Sequence, residues 1–482
     1  MVFSSPVFLF IFLPVTIGIY YILSIFRGGG YKNYWLLFVS LIFYAWNKPT
    51  FVLLLIASIV INYFFGRLIG LFQALVYKRA GLIVCLCANL GLLFYFKYFN
   101  LTVDTINLLF KSDIRVTEVL LPIGISFFTF QGISYVVDVY RQEVADQKNL
   151  FKLGMYISMF PQLVAGPIVR YKDIAVEIDK RHVSLLSFAG GVQRFIIGLF
   201  KKVIIADYMA LIADNIFSLE ANLNSVPVAW IGAIAYTIQI FFDFSGYSDM
   251  AIGLGAMFGF HFMENFNYPY ISKSITEFWR RWHISLSSFF RDYVYIPLGG
   301  NRKHVYLNVA IVFLLTGIWH GAAYTFIVWG IWHGIFNIAE KVMGDRFQGG
   351  NAKGSLRFFA RGIKSIVSHF YTMLVVIIGW VIFRAPTLKY AMQYIAAMFG
   401  LNNSKNTAFS VQWYLDKQTI LIIVIACAIS TPLVKRIYNG LKDKISTLLF
   451  TPVEYVISLL ILWLCMMQVA SNSYSPFIYF QF

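Results

Sequence analysis

Three histidines that could do chemistry, His283, His320 and His333, fall in one block of the chain, Glu277 to Gly334. It reads EFWRRWHISLSSFFRDYVYIPLGGNRKHVYLNVAIVFLLTGIWHGAAYTFIVWGIWHG and also carries Arg280, Arg281, Arg291, Arg302 and Lys303. A neutral imidazole is the usual general base near pH 7. Inside a membrane it is a candidate functional group, because its desolvation is unfavourable unless a partner or a water-filled cavity receives it. The plainer alternative is a core histidine satisfied by a hydrogen bond between helices. The neighbouring cations could hold phosphate oxygens through charge-assisted hydrogen bonds, or snorkel to lipid phosphate.

These side chains need elements to position them. Over the first half of the block, Phe278, Trp282, Leu286, Phe289, Tyr293 and Ile296 fall within about 80° of each other at helical spacing, with Arg280, His283, Ser287 and Arg291 opposite. That pattern predicts an amphipathic helix on or dipping into a membrane surface, ended by Pro297, Gly299 and Gly300. Val305 to Ala339 then runs for 35 residues without Asp, Glu, Lys or Arg. As one helix it would be about 50 Å long, against a hydrocarbon core of about 30 Å. A break is therefore expected at Gly317 and Gly321, leaving arms of roughly 22 and 28 Å with His320 at the bend, buried in protein. His333 follows in a second IWHG and lies well round the helix if that helix continues, so the two imidazoles do not easily face one cavity. Spacing alone does not choose between them.

Composition sets the class. The chain is 59% hydrophobic and 13% charged, whereas soluble domains are about 25% charged. Its mean hydropathy is +0.71. This is the composition of an all-α polytopic integral membrane protein, read as one domain over residues 1–482. The net charge of +17 fits basic cytoplasmic loops and attraction to anionic lipid head groups or a phosphate-bearing substrate. It does not argue for nucleic acid, since aromatic interleaving is expected of membrane belts. Cys85, Cys87, Cys427 and Cys465 lie in apolar runs and read as small core residues. Val7 to Ile25 reads as a first transmembrane helix, with no basic segment before it and no cleavage site after it.

Along the chain, Tyr34 to Phe65 is interrupted at Asn47-Lys48-Pro49. Residues 119–139 suit an irregular helix with a buried Gln131. Phe151 to Val169 is broken at Pro161 and Gly166-Pro167, as a re-entrant turn would be. A span from Phe188 to about Ile205 meets Lys201-Lys202 and closes at Asp207. Residues 230–260 hold Asp243 and Asp249 six apart, on different helix faces, so a paired-carboxylate site is not expected. Each is read as pairing with a base elsewhere or capping a break at Gly246. The glycines at 253 and 255 read as packing glycines. Glu264 to Tyr270, including Asn267, forms a polar loop feeding the amphipathic helix. Lys341 to Lys364 is a basic, glycine-rich loop, and further spans are expected near 367–383, 388–400, 419–434 and 452–470. The total is about 11–13 transmembrane or re-entrant helices. No phosphate-cradling loop, HExxH or cysteine cluster is present, so no metal is expected.

WRRWHISLSSFFRDYVYIPLGGNR at 279–302 with GIWHGA at 317–322 resembles the membrane-bound O-acyltransferase superfamily, in the branch that acetylates exported polysaccharides such as alginate. Further matches are FYAW at 43–46, PIGISFFTFQGISYVVDVYR at 122–141, FPQLVAGPIVR at 160–170, GLFKKVIIADYMA at 198–210, FDFSGYSDMAIGLGAMFGF at 242–260 and ENFNYPY at 264–270. The likeness fades after about residue 384. It implies a ring of tilted helices around a thin centre, with a catalytic core near 119–340 and a tunnel crossing from the cytoplasm to the outer face. It implies His320 as the catalytic histidine and His283 as a second functional position, with His333, Asp207 and Asn267 in support.

The chemistry so implied takes an acetyl thioester from the cytoplasm, acetyl-CoA, to a hydroxyl outside, with no bound cofactor. Acyl transfer needs a base and oxyanion stabilisation. His320 is the expected base, and Arg280, Arg281, Arg291, Arg302 and Lys303 are expected to hold the donor's phosphates. Expected partners are membrane lipid, an extracytoplasmic SGNH-type acetyltransferase and an exported polysaccharide, in a bacterial cytoplasmic membrane. The competing readings are transfer of D-alanine or another acyl group to a cell-wall polymer, and an acyl-conducting membrane subunit without chemistry of its own. A secondary transporter would show inverted repeats, which the sequence lacks.

Overall fold

The computed structural model describes residues 1–26, 30–46, 48–115, 119–346, 356–401 and 409–471, and among these the chain is helical with no strand. Helices are the expected solution, because lipid offers no partner to a free backbone N–H or C=O. Among the described residues, five helices are long and apolar enough to cross a bilayer: Phe51–Leu71, Leu75–Phe110, Val226–Met257, Lys364–Arg384 and Thr447–Ser471. Lys417–Ile429 and Leu433–Lys442 would form a sixth span if counted together, although 68° separates their axes. Other segments read from the sequence as spans or half-spans are short helices. Val305–His320 has 16 residues, and the segment near 388–400 is Leu388–Met398, with 11. The glycine-rich part of the 341–364 loop, residues 347–355, lies outside the described residues.

The chain divides into two compact units. The first comprises residues 1–199 and 246–264 with a short C-terminal stretch. Its helices are α1 (Leu13–Leu23), α2 (Gly30–Ala45), α3 (Phe51–Leu71), α4 (Leu75–Leu93), α5 (Ile125–Tyr140), α6 (Leu150–Ser158) and most of α7 (Leu185–Phe200). α5 is a regular helix rather than the irregular one expected, and it is buried along nearly its whole length, Gln131 included. Small residues let it approach α3: a Cβ on Gly132 would lie 2.4 Å from the Asn62 side chain. Asn62 in turn bonds Asn89 of α4 at 3.0 Å, a polar pair of the kind that joins helices in lipid. α6 breaks at Met159 before the short helix Phe160–Leu163, as the prolines and glycines of that stretch predicted.

The second unit holds residues 200–245 and 265–465. It contains a π-helical turn at Lys201–Ala206, then α8 (Asp207–Phe217), and the first part of α9 (Val226–Met257). There follow α10 (Ile275–Arg281), α11 (Ile284–Phe290), α12 (Val305–His320), α13 (Tyr324–Arg346), α14 (Leu356–Arg384) and α15 (Leu388–Met398). The C-terminal helices are α16 (Lys417–Ile429), α17 (Leu433–Lys442) and α18 (Thr447–Ser471). α9 runs unbroken through Gly246, so neither of its aspartates caps a helix break. In the first unit, Gly253 of α9 packs on Gly191 of α7, where a Cβ would stand 2.5 Å from the Gly191 carbonyl oxygen. Asp249 pairs with Arg194 at 2.8 Å, and Arg194 also reaches Glu264 at 2.5 Å.

Candidate active site

The site is built in the second unit on α10 to α14. α10 is capped at its start: the Ser274 hydroxyl accepts from the Glu277 N–H at 3.0 Å, and the Glu277 carboxylate reaches back to accept from the Lys273 N–H, one residue before the cap, at 3.0 Å. Glu340 of α13 adds a second cap, accepting from the N–H groups of Ile275 at 2.5 Å and Thr276 at 2.9 Å. A carboxylate there also complements the positive end of the helix dipole.

Seven residues later the helix stops. The continuous amphipathic helix predicted over 278–296 is instead two short helices with a left-handed residue, His283 at φ 45°, between them. The cause is the preceding polar loop, which is hydrogen-bonded along the break. The Asn267 N–H donates to the Arg281 carbonyl at 2.9 Å, and the Ile284 N–H donates to the Asn265 carbonyl at 2.9 Å. The Asn265 side-chain oxygen accepts from the Ser285 N–H at 3.1 Å and the Ser285 hydroxyl at 2.9 Å. The kink turns His283 inward. It is 2% exposed, not on the polar face where helical spacing placed it, while Phe278, Trp282, Leu286 and Phe289 are buried as expected.

His283 Nδ1 lies 3.2 Å from that same Asn265 oxygen. The oxygen can only accept, so Nδ1 is the donor of this hydrogen bond. Asn265 was missed by the sequence reading. Asn267, two residues on and named instead, contributes its backbone, with its carbonyl accepting from Arg281 at 3.1 Å.

His320 is the last residue of α12. Gly321 then runs extended, and α13 starts three residues later, so the break falls where the sequence put it. Glycine is needed there because a Cβ would stand 2.2 Å from the Phe326 ring. The imidazole is 6% exposed and both its nitrogens are shielded from solvent. Three aromatic rings stand nearly perpendicular to it: Trp319 at 4.9 Å, Trp329 at 5.0 Å and Phe383 at 5.2 Å between centroids.

Beyond the bend, His333 comes close to the surroundings of His320 without touching its ring. His333 is fully buried on α13, 5.2 Å from the Trp329 ring and 5.3 Å from that of Trp279. Its Nε2 would be 2.7 Å from a Cβ on Gly379 of α14, so only glycine fits opposite it. Trp329 therefore touches both imidazoles. Trp319 lies 5.9 Å from His283 as well, so His283, Trp319, His320, Trp329 and His333 alternate imidazole with indole. These tryptophans gave no signal in the sequence beyond that of ordinary core or belt residues.

The remaining candidates are less central. Asp207 is buried against Lys202 at 2.7 Å, and Lys202 also reaches Asp243 at 2.9 Å. Asp243 and Asp249 are thus both paired with bases, as expected. The convergence of Asp207 and Asp243, from different helices, on one lysine was not. Of the predicted phosphate-binding cations, Arg281 is bonded to Glu277 at 2.9 Å and Arg291 to Asp292 at 2.7 Å. Arg280, Arg302 and Lys303 are exposed. An open groove of about 540 Å³ beside the start of α10 is lined by Lys273, Thr276, Glu340, Lys341, Lys364 and Tyr371. None of the three histidines lines it. Among the described residues, no three His, Cys, Asp or Glu side chains converge to hold a metal ion.

Long apolar helices and buried imidazoles define a polytopic membrane protein with its candidate chemistry below the surface. The chain belongs to the MBOAT, membrane-bound O-acyltransferase, family, whose family model matches residues 94–382, and it is accordingly an acyltransferase. It is 40% identical to the probable alginate O-acetylase AlgI of Pseudomonas putida over 508 residues, covering 100% of both chains. It is 37% identical to the peptidoglycan O-acetyltransferase of Helicobacter pylori over 433 residues, 83% of this chain and 80% of that one. It is 34% identical to the teichoic acid D-alanyltransferase of Bacillus subtilis over 216 residues, 42% of this chain and 54% of that one.

Proposed function

We propose that this chain moves an acetyl group from a cytoplasmic thioester, acetyl-CoA, to a hydroxyl destined for an exported polysaccharide, with His320 as general base. The observation that carries this reading is the placement of His320. It sits at the break between α12 and α13, deep in protein, inside a wall of three aromatic rings. Full-length similarity to a probable alginate O-acetylase supports acetate as the group and a glycan as its acceptor.

In the reaction, the acceptor oxygen attacks the thioester carbonyl carbon while an imidazole nitrogen of His320 takes the hydroxyl proton. The new C–O bond forms, the C–S bond breaks, and the proton passes from the imidazolium to the leaving thiolate. A low-dielectric surround strengthens each electrostatic interaction in that sequence. Both nitrogens are shielded from solvent, so the reaction so proposed requires local opening around His320 before acceptor and donor reach it. The exposed Arg280, Arg302 and Lys303 are proposed to hold the donor's phosphates, and His283, oriented by Asn265, to line the donor's path. The acceptor is the glycan itself or an extracytoplasmic SGNH-type partner that relays the acetyl group, in a bacterial cytoplasmic membrane.

A second reading, D-alanyl transfer, is favoured by the partial similarity to a teichoic acid D-alanyltransferase. Purified wild-type and His320→Gln proteins in vesicles, given acetyl-CoA and an acceptor glycan, separate the possibilities through thiol release and ester formation. The expected outcome is turnover by wild type and a loss of about 10²- to 10⁴-fold in the variant. Full activity in His320→Gln removes the base. Turnover with a D-alanyl carrier but not with acetyl-CoA establishes the second reading.

A further inference from the structure

α17 is a ten-residue helix with no buried residue. Its sequence, LVKRIYNGLK, is amphipathic: at 100° per residue Leu433, Val434, Ile437 and Leu441 fall within about 100°, while Lys435, Arg436, Asn439 and Lys442 occupy the opposite side. The apolar side chains are 48–55% exposed, so about half of their surface is left open by the described chain. The axis turns by 68° from that of α16, and α18, a 25-residue helix able to span a bilayer, starts five residues after α17 ends. Tyr438 ties the two together: its hydroxyl donates to Glu454 of α18 at 2.8 Å, and its ring meets Phe450 at 5.4 Å.

We propose that α17 is an interfacial helix that lies on the bilayer and binds anionic phospholipid head groups. Two facts choose lipid as the occupant. A helix joined by a short turn to the start of a membrane span is held at the level where that span enters the bilayer. An inserted half-span would carry Lys435, Arg436 and Lys442 into hydrocarbon, where cations are strongly unfavourable. Lying flat, the helix buries its four apolar side chains at the acyl boundary and sets its cations, with Lys444 just beyond, against lipid phosphates. The turn between α16 and α18 is then a surface anchor and not part of a crossing.

The test uses the full chain with its four native cysteines replaced and one nitroxide-labelled cysteine at a time, Leu433→Cys, Lys435→Cys, Ile437→Cys, Asn439→Cys or Leu441→Cys. Vesicles are made of phosphatidylcholine alone or with phosphatidylglycerol. The expected result alternates with helical period: labels at 433, 437 and 441 are relaxed by oxygen, and those at 435 and 439 by a water-soluble nickel complex. The Ile437 label should sit deeper with phosphatidylglycerol, and Lys435→Gln/Arg436→Gln/Lys442→Gln/Lys444→Gln should abolish that difference. Oxygen access at all five positions would make α17 an inserted half-span. Low access to both reagents on the apolar side would make it a protein-docking surface. Equal depth in both vesicles would remove the anionic lipid. Each of these three outcomes overturns the proposal.

Discussion

Lys202 shows how far single residues can be read from sequence. Its charge inside an apolar run was legible, as was the expectation that Asp243 pairs with some base. The sharing of Lys202 by Asp207 and Asp243 was not, because the carboxylates come from different helices and meet the ammonium only in the folded chain, at 2.7 and 2.9 Å. All three are at most 3% exposed, so the lysine holds two buried carboxylates that water cannot stabilise. Lys202→Met should therefore destabilise the protein by about 3–5 kcal/mol, the range for breaking a buried pair from one side. Thermal unfolding in detergent followed by fluorescence reads this out. A variant as stable as wild type would mean that the two carboxylates do not depend on the lysine. His283 carries the same lesson: its residue type marked it, but its burial followed from hydrogen bonds made by Asn265, eighteen residues earlier.

At the scale of elements, the seam between α12 and α13 holds the site. Gly317 and Gly330 face each other across it, and a Cβ on either would stand 2.4 Å from a carbonyl oxygen of the other helix. Close backbone approach through small residues is the usual way helices associate in lipid, where burial of apolar surface offers little. Gly330→Ala should force the helices apart, lowering stability by about 1–3 kcal/mol, and should reduce acyl transfer, because Trp329 beside it contacts both His320 and His333. Gly344→Ala, on the same helix with no atom within 4 Å of the added carbon, should be neutral or up to about 1 kcal/mol stabilising. Melting curves and initial rates for the pair distinguish a packing requirement from a general intolerance of substitution. The break after His320 was legible because 35 uncharged residues exceed the bilayer. The break at His283 was not, since helical periodicity in that segment is intact and the competing hydrogen bonds come from outside it, from the preceding loop.

For the whole molecule, the division between lipid-facing and protein-facing surface is testable through the native cysteines. Cys87 and Cys427 are exposed on apolar helices, and Cys85 and Cys465 are buried. In intact membranes, Cys87 and Cys427 should react with a membrane-soluble maleimide and resist a charged, impermeant one. Cys85 and Cys465 should resist both until the protein is unfolded. Mass spectrometry of labelled peptides reports the outcome, and reaction of Cys87 with the impermeant reagent would place its helix face in water. Much of the molecule's surface is apolar, with large side chains such as Leu53, Leu448 and Trp463 more than half exposed. That fits a protein whose solvent is a bilayer.

The sequence by itself determined the class: composition and long uncharged runs leave helices in a membrane as the stable arrangement, since neither apolar surface nor backbone polar groups could be accommodated otherwise. It also determined the candidate histidines and the bend at His320, because residue type and helix length are local properties. Only the tertiary structure decided which side chains touch. It brought His320 and His333 to one indole, turned His283 inward, and joined Asp207 and Asp243 through Lys202. These are contacts between residues distant in sequence or across a backbone kink, and periodicity along one helix carries no information about the partner that breaks it.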